Sequence, residues 1–248
     1  MRRTLLASLA VVATACSDAP ESARPDATVA PEIDAAAPDG AQATMGFGEL
    51  SGMCGVLALA DLTSPDPELV RATMTFAREY VDPDDRPLLT PGGLHLAETP
   101  NAGGSSGLSE IFAYEQLARC EQAGFLKTET EIVYDTAGKI TDLEVTLDGE
   151  KIGVSVTRAQ TYPLGTPYTL SAATTLIKRK LDDIKLSTTN VSAADRWRKQ
   201  ILAILAWDTQ AADTAAQAWA DVPAASRADT IVIITTTEGA DTFIYTNH

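Results

Sequence analysis

The stretch TDLEVTLDGEKIGVSVTR, residues 141–158, constrains the fold more than any other part of the chain. Two alternating runs flank Asp148-Gly149. That pair suits a two-residue hairpin turn, which needs positive φ at both central positions. With such a turn Leu147 faces Glu150, Glu144 faces Gly153 and Asp142 faces Ser155. Side chains alternate along a strand, so Leu143, Val145, Ile152, Val154 and Val156 form an apolar face that a helix must cover. Asp142, Glu144, Gly153, Ser155 and Thr157 then share the other face. That polar face is either a solvated hairpin surface or a place where carboxylates gather.

The flanking pattern supplies the rest of an α/β chain. After NAGGSSG, Ile111, Tyr114, Leu117 and Ala118 recur at helical spacing, with Glu110 in the first turn and Gly124 as the expected stop. Strands are expected over 128–134, 140–147 and 151–157. Thr169 can cap a second helix carrying Leu170, Ala173, Ile177, Leu181 and Ile184, and the following IKLST could add a strand. Ser192 and Asp195, three apart, suggest a capping box before a long helix with Trp197, Ile201, Leu205 and Trp219, closed by Pro223. Residues 230–237 read as a strand buried on both faces, and 243–246 as a last edge strand. The order predicts a mixed β-sheet flanked by helices. Before it, residues 46–104 read as an irregular β extension, since Val70, Ala72, Met74 and Phe76 alternate with polar residues between Gly- and Pro-rich stretches.

The N-terminus has a different character. MRRTLLASLAVVATAC is a basic start followed by an apolar run too short to span a bilayer, the pattern of a signal peptide over residues 1–15. The small residues before Cys16 resemble a bacterial lipobox, with Ala13 where leucine is more usual. The resemblance implies lipidation of Cys16, a membrane partner through the lipid anchor and a place in the cell envelope. Ser17, which is not a retention aspartate, leans toward the outer membrane. Residues 16–45, rich in Ala, Pro and Asp, read as a disordered tether.

Charge and cysteine content narrow the function. A formal net charge of −15 repels phosphate backbones, so general nucleic-acid binding is disfavoured. The basic cluster Lys178, Arg179, Lys180 reads as a solvated helix face. Beyond Cys16 the cysteines are Cys54 and Cys120, either a disulfide of an exported chain or two separately buried thiols. With His95 and His248 as the histidines, no zinc spacing exists.

The element order from residue 105 to 248, together with an acid on the strand before the hairpin turn, resembles the PD-(D/E)xK nuclease-like superfamily. The resemblance implies a restriction-endonuclease-like core and a metal-dependent phosphodiesterase or nuclease chemistry with Mg²⁺ or Mn²⁺. Asp142 matches the first metal-binding acid. Ser155 and Thr157 stand where that family keeps its second acid and its lysine, so the resemblance implies a degenerate site unless other groups substitute. Glu144, Glu110 and Glu131 are the acids that could rebuild a metal site. Arg158 is the candidate replacement cation, although in this register it points to the apolar side or lies just beyond the strand. The chain also resembles an uncharacterised group sharing TD, then G, then GVSVTRA, which brings no activity.

Two other function classes stand beside this one. GGSSG, residues 103–107, matches the letters of a serine-hydrolase elbow with Ser105 as nucleophile. It lacks a preceding strand, and only the terminal His248 could follow as base. A binding or scaffold module that keeps a nuclease-like fold without its chemistry accounts for the polar replacements and the acidic surface, with its protein partner unspecified.

Overall fold

The computed structural model describes residues 46–102 and 106–246. The expectations for the signal peptide, Cys16, the tether, Ser105 and His248 lie outside the described residues. Seven strands form one mixed sheet: β1 (Glu49–Gly52), β2 (Glu68–Phe76), β3 (Gly124–Thr128), β4 (Leu143–Leu147), β5 (Glu150–Ala159), β6 (Lys199–Ala206) and β7 (Ile231–Gly239). The helices are α1 (Leu59–Thr63), α2 (Pro91–Glu98), α3 (Gly107–Cys120), α4 (Leu170–Asn190), α5 (Thr209–Asp221), α6 (Ala224–Arg227) and α7 (Thr242–Thr246). The sheet order is β1-β2-β7-β6-β5-β4-β3. β2, β7, β6 and β5 run parallel, and antiparallel strands close both margins.

Parallel strands covered on both faces carry continuous apolar runs, and β6 and β7 do so. Ile201, Ala203, Ile231 and Ile233 point into a core shared with Ala113, Tyr114 and Leu117 of α3. Leu202, Ile204, Val232 and Ile234 point the other way, onto Ala173 and Ile177 of α4 and Ala211 and Ala215 of α5. A third cluster joins Phe76 and Phe112 to Phe243 of α7.

The hairpin has the expected register, Glu144 opposite Gly153 and Leu147 opposite Glu150, with positive φ at Asp148 and Gly149. Its apolar face lies under α3. Thr169 caps α4, accepting from the Ala172 N–H at 3.3 Å. The N-terminal strands extend the same sheet, β2 pairing along its whole length with β7.

Several local expectations are corrected. The first of the three strands is β3 at 124–128, while 129–132 is turn and bend and Tyr134 makes an isolated antiparallel bridge to Val191. Gly124 opens that strand, and the positive φ after α3 belongs to Gln122. IKLST is the last part of α4, where Ile184 and Ser187 continue its buried face. The long helix after Asp195 is instead a strand followed by α5. In an all-apolar run such as Ile201–Ala206, Trp197, Ile201 and Leu205 satisfy a spacing of four by chance, and the strand neighbours on both sides decide. Residues 242–246 are helical rather than an edge strand, because β7 already pairs on both sides and Phe243 and Tyr245 fill the third cluster.

The end of α3 ties down the N-terminal segment. Cys54 and Cys120 form a disulfide. Beside it the Glu121 carboxylate accepts from the N–H groups of Gly55, Val56 and Leu57 at 3.0–3.2 Å, and Arg119 donates to the carbonyls of Phe47 and Gly48. No helix among the described residues is long and apolar enough to cross a membrane.

Candidate functional site

The polar face of the hairpin is not a solvated surface. α4 and the segment leading into β6 cover it, so Glu144 is fully buried and Ser155 nearly so. Gly153 is required here, since a Cβ would stand 2.8 Å from the Trp197 ring. Trp197 is fixed by donating to Thr188 Oγ1 at 3.0 Å. The GVSVTR signature therefore records a close approach of tryptophan to backbone, which alternation alone cannot reveal.

Asp142 sits beside Ser155 just before β4 begins. Its Oδ2 accepts from Ser155 Oγ at 3.1 Å and from the Val156 N–H at 2.5 Å. Lys180 of α4 reaches the same place, its ammonium 3.4 Å from Ser155 Oγ and 3.8 Å from Asp142 Oδ2. Lys178 and Arg179 are solvent-exposed, as a helix face would be, but Lys180 is turned inward. Nothing in the residue pattern distinguishes that lysine, because its role depends on where α4 crosses the hairpin.

Glu110, in the first turn of α3, is 5% exposed. Ser106 donates to its Oε1 at 2.6 Å, and Asn101 Nδ2 is 3.1 Å from both oxygens. Burial pushes its carboxyl up to about 7; the Ser106 and Asn101 hydrogen bonds oppose the shift, while Asp142 and Glu129 add to it. Glu129, which accepts from the Ala102 N–H, is also raised, first by burial and then by Asp142. Glu110, Glu129 and Asp142 thus feel one another's charge, with Lys180 as counter-ion. Glu129 carries no sequence signal of its own, because it lies in the turn that replaces the expected strand.

The other candidates are drawn elsewhere. The Glu144 carboxylate is 3.6 Å from the Lys151 ammonium, and its oxygens make no hydrogen bond. Burial raises its carboxyl, with Asp195 and Lys127 as further charged neighbours. Glu131 accepts from the Thr128 N–H at 2.9 Å and faces His95 at 3.3 Å. Arg158 lies within β5 and donates to the Ile244 carbonyl at 2.9 Å. Burial lowers its basicity, opposed by Tyr245 and Glu110.

A divalent ion of the Mg²⁺ type needs several hard, charged oxygens in one shell. Among the described residues no group of three or more His, Cys, Asp or Glu side chains is arranged to hold a metal. Asp142 Oδ2 is already hydrogen-bonded, Ser155 offers a neutral hydroxyl, Glu110 is engaged by Ser106 and Asn101, and Glu144 faces Lys151. This donor set does not fit such an ion.

No family model matches the chain. No solved structure matches it either. In the slime mould Dictyostelium discoideum the "AAC-rich mRNA clone AAC4 protein" is 39% identical over 155 residues, covering 59% of this chain. The match spans 22% of that protein's length, so this chain is similar to one segment of a much longer relative.

Proposed function

We propose that residues 105–248 are a divergent nuclease-like domain that has lost hydrolysis and serves as a binding module of the cell envelope. One observation carries the reading: Asp142 is engaged by Ser155, the Val156 N–H and Lys180, and the nuclease-like resemblance would put Ser155 and Thr157 where that superfamily keeps its second acid and its lysine. The order α3-β3-β4-β5-α4-β6, with β5 and β6 parallel, supports the assignment of a restriction-endonuclease-like core. The signal-like N-terminus supports export with Cys16 as the lipid anchor, and the Cys54–Cys120 disulfide is compatible with an oxidising compartment.

Cleavage assays with Mg²⁺ and with Mn²⁺ on single-stranded DNA, double-stranded DNA and RNA test the loss of hydrolysis. The expected result is no cleavage above a metal-free control. Robust cleavage abolished by Asp142→Asn would replace this reading with a live nuclease. That second reading rests on Lys180, which arrives from α4 where a lysine is missing from β5. For the anchor, Cys16→Ala is expected to release the protein from salt-washed membranes, and retention of the variant in the pellet would reject lipidation there.

A further inference from the structure

A cavity of about 310 Å³ lies between α2, the start of α3 and the end of β3. Leu96, Pro100, Leu108 and Ile111 form an apolar wall, and Glu110 and Glu129 are its carboxyl groups beside Asp82. Asp82 is clamped by Arg86 at 2.6 and 2.9 Å, so that pair cancels its own charge. Glu110 is held in place by Ser106 and Asn101. Asp142 and Glu129 press further negative charge on it, and Arg158 is the cation that feels it from β5. An apolar wall ending in carboxyl groups is complementary to a chain with a cationic head, and it repels phosphates and carboxylates.

We propose that this cavity binds an organic cation, a primary ammonium on a short unbranched apolar chain. The chain lies against Leu96, Leu108 and Ile111, and the ammonium is directed to Glu110 and Glu129. The inference rests on the binding-module reading and gives it a ligand, in a cavity next to Asp142, whose charge acts on Glu110 and Glu129. Because Glu110 titrates near neutrality while an alkylammonium stays charged, binding draws the proton off Glu110 and strengthens as pH rises.

Calorimetric titration of the full chain with n-pentylammonium, n-pentanol and pentanoate tests this. The ammonium is expected to bind at least tenfold more tightly than the alcohol, with no binding of the carboxylate. Its affinity is expected to rise about tenfold from pH 6 to pH 8, following ionisation of Glu110. Glu129→Gln should weaken binding at least tenfold, and Glu110→Gln should weaken it and reduce the pH dependence. Equal affinity for alcohol and ammonium, tighter binding of pentanoate, or unchanged binding in both variants would overturn the proposal. The alcohol and carboxylate arms need no variant, so they decide even if a substituted protein fails to fold. Failure here together with absence of nuclease cleavage removes only the amine ligand, whereas Asp142-dependent cleavage removes the binding-module reading and leaves the amine titration to stand on its own.

Discussion

The centre of the sheet and its β3–β4–β5 margin are built on opposite principles. At the centre, β6 and β7 bury apolar side chains on both faces, and each strand's backbone is paired on both sides. At the margin one face of the hairpin is equally apolar, but the other places Glu144, Ser155 and Lys180 in or near the interior, with Asp142 and Glu110 at its end. Two of these carboxyls, Glu110 and Glu144, are pushed upward by burial. Burying charge without full compensation destabilises a fold, so this margin should add less to stability than the centre does.

The largest effect is expected at the centre. Leu202, fully buried between β6 and the α4/α5 layer, should cost about 2–5 kcal/mol when cut to alanine, read as a shift of the urea midpoint. A loss under about 1 kcal/mol would mean that the centre is less closely packed than described. Next comes the N-terminal staple. The Cys54–Cys120 bond joins residues 66 apart, and Cys54→Ser should lower stability by about 2–4 kcal/mol. If the variant melts with the parent, the contacts of Glu121 and Arg119 and the pairing of β1 with β2 hold that segment without the disulfide.

The margin should respond to pH rather than to volume. The Glu110 carboxyl is raised from 4.5 to about 7, so the folded state holds a proton that the unfolded chain releases earlier. Its contribution is fully present below about pH 4.5 and is lost as pH rises through about 7. Glu110→Gln should remove that fall and leave the variant more stable than the parent at pH 8, by up to about 3 kcal/mol. Parallel stability–pH curves for the two proteins would contradict the burial of this carboxyl. The smallest effect is expected from Asp142→Asn. Its side chain is 22% exposed, its ion pair with Lys180 is loose at 3.8 Å, and an amide oxygen can still accept from Val156, so the change should stay within about 1 kcal/mol.

The same contrast explains what could be read from the sequence. The β4–β5 hairpin was legible because a two-residue turn fixes its register, and β7 because a run of Ile and Val is a buried strand in almost any context. β6 is not legible in the same way, since a continuous apolar run fits helix and strand alike and only its parallel neighbours decide. The site was legible at Asp142 and Ser155, which face each other within one hairpin. It was not legible at Glu129 and Lys180, whose positions depend on a turn after β3 and on the path of α4. Asn101 and Ser106, which hold Glu110, have ordinary loop identities and gave no signal.

The hydrogen bonds of Asp142 and its ion pair with Lys180 are expected to leave this margin without a site for a divalent metal. Melting the full chain in EDTA and then in excess Mn²⁺, beside Asp142→Asn, tests it directly. A ligand that binds the folded state raises the melting temperature. The expected result is the same melting temperature with and without Mn²⁺ in both proteins. A Mn²⁺-dependent rise in the parent that disappears in Asp142→Asn would contradict it.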